Sequence, residues 1–296
     1  MIVTGTPARW TVGNAKIGRV DEVVLEGQGS WLLPGATAEL VAGQRWLDPS
    51  AVDARGEIRL SVHSFVVDIS GTRIVIDTGV GNHKVRDNPA WNNLDTDYPA
   101  NLGKTGFDPD SVDLVINTHI HRDHVGWNTT LRQGVWQPTF RNARYLTSRS
   151  EWDYWAAASL NEDQQRMFAD SVTPVRDAGQ LDLVDVETPV EIAEGVELIP
   201  TPGHTPGHVS VRIASAGRTA LVTGDFLHHP VQVAYPDLCC GADVDGAVAE
   251  RTRKAMLSSL VDTQTLVLGS HFTHPTAGFV RNGVSGLVLT PPAETS

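Results

Sequence analysis

The chain has 296 residues, enough for one large domain or two small ones with a substantial core. It is 41% hydrophobic and 20% charged, the composition of an ordinary soluble globular protein. The net charge of −12 excludes nucleic acid and anionic membrane as expected partners, because phosphate binding needs a basic footprint. A small-molecule substrate stays open, since a bound metal can dominate the local field of an acidic protein.

Residues 1–10 lack the basic start and apolar core of a secretory signal, and no stretch approaches the ~18–20 apolar residues of a membrane span. Cys239 and Cys240 are adjacent, which suits no loop-closing disulfide. A cytoplasmic location is the expectation. Residues 1–296 read as a single domain, with 1–57 an N-terminal extension of edge strands. That extension holds a strand around Ile17–Leu25 and a Gly/Pro-rich turn at Gly27–Gly35, and it shows no chemistry beyond a possible pocket lip.

Leu60–Ile69 and Thr72–Ile76 are β-rich runs split by Ser70-Gly71, a hairpin signal, and they end in Asp77-Thr78-Gly79. Laid without a gap over His208–Gly224, the stretch His63–Gly79 matches at His63/His208, Val66/Val211, Ser70/Ser215, Arg73/Arg218 and the two Thr-Gly pairs. The simplest reading is two similar halves, each a sheet bringing one rim to a shared site. Residues 83–106, rich in Asn, Asp, Pro and Gly and holding Trp91 and Tyr98, read as a long aperiodic loop and a candidate lid. Ser148-Arg-Ser-Glu151 fits a capping box opening a helix with Trp152, Trp155 and Ala156 at helical spacing. Asp182–Leu198 reads as short strands. Val248, Ala255, Met256 and Leu260 mark a late amphipathic helix, followed by a strand at Thr265–Leu268.

The chemistry concentrates after the apolar run Val112–Asn117, in Thr118-His-Ile-His-Arg-Asp-His-Val-Gly126. Residues two apart on extended backbone point the same way, so His119 and His121 can bind one ion. Asp123 and His124 follow as the chain turns and are offset toward a second. Asp is the harder ligand, so the second position should accept a wider range of divalent metals. Further candidates end later strands: His204 in Thr201-Pro-Gly-His-Thr-Pro-Gly-His208, Asp225 after Val222-Thr-Gly, and His271 after Leu266-Val-Leu-Gly-Ser.

This set resembles the metallo-β-lactamase superfamily from about residue 58 to 281. The resemblance implies an α/β fold, an αββα sandwich with a binuclear metal site at one edge. It implies that His119, His121 and His204 hold the first ion, that Asp123, His124 and His271 hold the second, and that Asp225 bridges them. Asp77 would orient a ligand from behind, with His63 in a similar supporting place. The implied activity is hydrolysis through a metal-bridging hydroxide, with two divalent ions, zinc first and manganese, iron or cobalt as alternatives. Asp123 and Asp225 would serve the leaving group's proton.

The departures narrow the branch. His121 stands where the diiron redox branch has Glu, and Asp225 stands where true β-lactamases lack a bridging aspartate. The run His121–Asn128 and Gly269-Ser-His-Phe-Thr273 look like the N-acyl homoserine lactonase and methyl parathion hydrolase group. Glyoxalase II, a thioesterase, competes, but its basic helical C-terminal segment has no match in residues 273–296, which hold only Arg281. A non-enzymatic metal-binding or sensing protein is a further alternative, although such members lose ligands that this chain keeps. Trp91, Tyr98, Phe107 and Trp127 are candidates for an apolar wall, and His228 and His229 for substrate contacts. His208 reads as a backbone-bonding residue, His83 as solvated, and His274 as rim. A small-molecule substrate and a possible homodimer complete the expectation.

Overall fold

The chain begins with β1 (Arg9–Val12) and β2 (Ala15–Leu25), antiparallel strands joined by a tight turn at Gly13. The computed structural model describes residues 7–284 and 286–292. Next come β3 (Leu60–Ile69), β4 (Thr72–Ile76), β5 (Leu114–Ile116), the small hairpin β6 (Thr129–Arg132) and β7 (Val135–Pro138), β8 (Arg144–Ser148) and β9 (Leu181–Val184). A second group follows: β10 (Val190–Ala193), β11 (Val196–Pro200), β12 (Val209–Ser215), β13 (Arg218–Val222), β14 (Thr265–Leu268), β15 (Ala277–Gly283) and β16 (Gly286–Thr290).

The chain divides into two compact units, residues 1–23 with 62–186 and residues 24–61 with 187–296. The first holds a seven-stranded sheet in the order β1-β2-β3-β4-β5-β8-β9, in which β4, β5, β8 and β9 run parallel. The central parallel strands are apolar on both faces over Ile74–Ile76 and Leu114–Ile116, as a covered sheet requires. Val20, Val66, Val75, Val115, Phe140 and Tyr145 form the centre of its core. The second unit holds a seven-stranded sheet in simple sequence order, β10 to β16, with only the β13–β14 pair parallel. Its core gathers Leu221, Phe226, Leu257, Val267, Phe272 and Val280. No helix among the described residues is long and apolar enough to cross a membrane.

The repeat seen in the sequence is present in the backbone, displaced by one residue. Ser70-Gly71 and Ala216-Gly217 are the two hairpin turns, all four residues at positive φ. Ile76 pairs with Ile116 as Val222 pairs with Leu268, and Asp77 N and Thr223 N donate to the carbonyls of Ile116 and Leu268. Ser70 therefore corresponds to Ala216 and not to Ser215. The same register places His119 and His271 alike, each three residues beyond its paired strand residue. The halves diverge after that point, since β5 continues to a parallel neighbour and β14 to an antiparallel one.

Residues 83–106 differ from the aperiodic loop that their composition suggests. Tyr98–Lys104 is a helix with Pro99 in its first turn, where a missing N–H costs nothing. Ahead of it, Lys84 and Arg86 are buried and converge on Asp170 in the π-helical turn Phe168–Val172. Ser148 caps the helix Arg149–Ala157 by accepting from Glu151 N at 3.1 Å. The helix Gly246–Leu260 buries Ala249, Arg253, Leu257 and Leu260, whereas Val248 and Met256 are half-buried and Ala255 is exposed. The apolar face expected at Val248, Ala255 and Met256 is thus rotated, because Arg253 occupies the buried row, its guanidinium bonded to the carbonyls of Phe226 and Pro236.

Candidate metal centre

The loop after β5 is built around Asp77. Its carboxylate accepts from Thr118 N at 2.8 Å, from Thr118 Oγ1 at 2.9 Å and from His124 Nδ1 at 2.9 Å. These bonds hold Asp77 at φ 53, in the left-handed region that few non-glycine residues adopt. They also set His124 with Nδ1 as donor and Nε2, 3.8 Å from Asp123 Oδ2, as the nitrogen that could ligate an ion. His119 is oriented in the same way by Thr118 Oγ1, 3.0 Å from its Nδ1. Its Nε2 then lies 3.0 Å from His121 Nδ1. That is close to the separation of two nitrogens about 2.0–2.1 Å from one zinc ion. Gly126 makes the turn possible, because a Cβ there would stand 2.0 Å from the Val80 carbonyl.

Two buried acids support this loop: Glu151, expected only as part of a capping box, and Glu22, in a stretch expected to hold no chemistry. Glu151 Oε1 accepts from Ile120 N at 2.9 Å and Trp155 Nε1 at 2.7 Å, so this glutamate of the helix's first turn pins the residue between the two histidines. Glu22, on β2, accepts from Val80 N at 2.6 Å, Gly81 N at 3.0 Å and Trp127 Nε1 at 2.7 Å. Burial raises Glu22 to about 7 against these donors, with the charge of Asp123 adding to the rise. Glu22 therefore braces the backbone and the tryptophan beside the histidine loop. No local signal marks Glu22, whose donors lie 58 or more residues away.

In the second unit, the turn before β12 presents His204. Gly203, at φ 133, lets the chain pass the helix Gly246–Leu260, since a Cβ would sit 2.2 Å from Ala249 N. His204 Nδ1 faces Asp243 Oδ1 at 2.9 Å, and its Nε2 faces Asp225 Oδ2 at 3.3 Å. Asp225 follows β13 and is set by its own N–H, which donates to His208 Nε2 at 2.7 Å. Its other oxygen, Oδ1, lies 3.1 Å from His271 Nε2, while His271 Nδ1 donates to Ser61 O at 3.0 Å. The carboxylate of Asp225 thus turns one oxygen to His204 and the other to His271.

Residues 58–272 match the metallo-β-lactamase superfamily. The chain belongs to that family. An N-acyl homoserine lactonase of a Bacillus species is 28% identical over 188 residues, 58% of this chain and 67% of the relative. Among solved structures, AidC, a dizinc quorum-quenching lactonase in complex with the product N-hexanoyl-L-homoserine, superposes with a TM-score of 0.80 at 20% identity, covering 98% of both chains. The hydrolase AbOPH superposes at 0.79 and 20% identity, covering 99% of this chain and 100% of that one. The fold is the family's α/β fold, and the chain is a metal-dependent hydrolase of the metallo-β-lactamase type.

The residues present fit the ions that the family carries. His124, His204 and His271 each have Nδ1 held by an oxygen acceptor, which fixes the tautomer and turns Nε2 outward as a ligand. Burial opposes a proton on His204, but Asp225 and Asp243 outweigh it and raise the imidazole to about 9. Burial likewise opposes charge on His228, and Cys240 and Asp225 raise it well above the ordinary histidine value. Carboxylates that stabilise a proton so strongly would stabilise a divalent cation at the same place. Burial would raise the Cys240 thiol, yet His228 and His204 bring it down to about 6.

The expected substrate contacts divide. Tyr98, Phe107 and Trp127 are core residues, a correction to their reading as an acyl wall: Tyr98 stacks on Trp127 at 5.0 Å and bonds Ser64 Oγ, and Arg73 lies over Phe107. Trp91 is also buried, with Arg122 over its ring. His228 is at the site, its Nε2 3.2 Å from Asp225 Oδ2. His229 is not, because its Nε2 donates to Ala51 O at 2.9 Å and its Nδ1 accepts from Val231 N at 3.1 Å. His63 is buried edge-on to Phe65, while His83 and His274 are exposed.

Proposed function

We propose that this enzyme is a binuclear, zinc-dependent hydrolase that opens a small-molecule lactone or cleaves a carboxylic ester. The observation that carries the reading is the divided carboxylate of Asp225, one oxygen toward His204 and one toward His271, the posture of a ligand shared by two ions. His119, His121 and His204 would hold the first ion; Asp123, His124 and His271 the second; Asp225 both. Manganese, iron or cobalt could replace zinc. When bound, such ions bring the pKa of water toward ~7 and polarise a carbonyl oxygen.

The chain's own residues do the rest. Asp77 and Asp243 keep His124 and His204 in their ligating tautomers. Asp123 and Asp225 are the carboxylates positioned to pass a proton to the departing alkoxide. His228, buried beside Asp225, is the donor for the substrate carbonyl or the leaving oxygen. The likeness to lactonases supports a cyclic ester in preference to a thioester or phosphotriester. On this reading the enzyme is cytoplasmic and acts on a small molecule, with neither nucleic acid nor membrane as partner and homodimerisation possible.

The test is a hydrolysis panel on zinc-loaded protein: acyl homoserine and simple lactones, an aryl ester, a phosphotriester, a glutathione thioester and a cephalosporin. Lactone turnover should dominate, vanish on chelation and return with zinc. Asp225→Ala should lower it by more than the about 10–100-fold typical of losing an outer partner of a metal ligand. Turnover confined to the thioester or phosphotriester, or near-normal lactone hydrolysis by Asp225→Ala, would overturn the reading.

A further inference from the structure

Beside the proposed ligand set lies a second group of soft donors. His204, His228 and Cys240 each direct one ligand atom into a space where all three atoms lie within 4.8 Å of one another. The three residues are 2%, 1% and 5% exposed. The imidazole of His228 is bonded to no backbone group among the described residues and faces Asp225 and Cys240. A buried imidazole held only by potential ligand groups is spent on no structural backbone contact. Its Nε2 stands 3.2 Å from Asp225 Oδ2, and His204 Nε2 stands 3.3 Å from the same oxygen. Both spacings match the edge of a tetrahedron around an ion with ligands at about 2.0–2.2 Å.

Cys240 is fixed in place by its neighbours. Its backbone N–H donates to Asp243 Oδ2 at 2.9 Å, and its sulfur accepts from Ala242 N at 3.3 Å. The neighbouring Cys239 points elsewhere, toward the carbonyls of Asp237 and Gly246.

We propose that His204, His228 and Cys240 form a third, thiolate-containing position for soft or borderline divalent ions, with Asp225 Oδ2 as its fourth ligand. Binding replaces the thiol proton, which leaves to solvent, by a metal–sulfur bond. The position shares His204 and Asp225 with the set of the proposed hydrolytic centre, so an ion there competes with that centre for both side chains. Excess zinc or cadmium would thus draw on ligands the catalytic ions need.

Cobalt titration of metal-stripped protein tests this through absorbance, without reference to turnover. Wild type should develop a saturable near-ultraviolet sulfur-to-cobalt charge-transfer band. Cys240→Ser and Cys240→Ala should lose the band, and Cys239→Ser should keep it. His228→Asn should weaken the band's cobalt affinity by about 10-fold or more. A charge-transfer band absent at saturating cobalt, or one that persists in both Cys240 variants, would overturn the proposal. Failure of the hydrolysis panel would leave this absorbance result standing, so the two readings fail separately.

Discussion

What decides a histidine's role in this chain is the group that holds its second ring nitrogen. The clustering of His119, His121 and His124 was legible from spacing alone, because several imidazoles follow one apolar strand within six residues. His204 and His271 were legible only by their places after later strands. His228 and His229 are adjacent and chemically identical in the sequence, and only the fold separates them. His229 is spent on the backbone, donating to Ala51 O and accepting from Val231 N, and burial lowers it to about 4. A neutral folded state and an unfolded value near 6.5 fix the sign. The unfolded chain binds the proton first, so the stabilisation is complete above 6.5 and is lost as pH falls toward 4. The full loss is roughly 3 kcal/mol. In urea unfolding, His229→Asn should be less stable than wild type at pH 7.5. Its stability should also fall by roughly 2–3 kcal/mol less than that of wild type between pH 6.5 and 4.5. Parallel pH profiles for the two proteins would refute the assignment.

At the scale of elements, strands were easier to read than the segments between them. The hairpin β3–β4 has the bounds its β-branched runs and Ser70-Gly71 turn predict, because local alternation and turn chemistry agree there. The segment 83–106 was opaque because its order comes from a distant partner. Lys84 and Arg86 look like solvated charges in sequence, yet Arg86 makes a bidentate pair with Asp170 at 2.7 and 2.8 Å. Lys84 reaches Asp170 at 3.3 Å and lies over the Trp136 ring at 3.9 Å. Burial brings Lys84 down to about 8 despite that carboxylate. Removing Asp170 leaves two buried cations without their anion. Asp170→Ala should therefore cost about 3–5 kcal/mol in chemical denaturation, with Asp170→Asn losing less. A loss below about 1 kcal/mol, the range of an exposed pair, would mean that the segment is not anchored by this cluster.

At the scale of the whole molecule, the family was legible because its ligands sit at strand ends, where the order of strands in each sheet determines which residues can meet. The pair of similar hairpins was legible too, although the gapless alignment is off by one residue throughout, so none of its matched residues is structurally equivalent. The N-terminal residues were not legible, since Glu22 acquires its role only when β2 lies beside distant donors. The proposed ions bind the folded chain and not the unfolded one, so they must contribute to its stability. At free zinc about 1,000 times the dissociation constant, one ion adds about 4 kcal/mol. At roughly 2–4 °C per kcal/mol for a chain near this size, chelation should lower Tm by at least about 8 °C. Scanning calorimetry with and without chelator measures this, and zinc added back should raise Tm in proportion to the logarithm of its free concentration. A Tm indifferent to chelator would mean that the ligands are arranged without an ion. A drop that zinc does not reverse would mean that the ligands had lost the arrangement on which the proposed function rests.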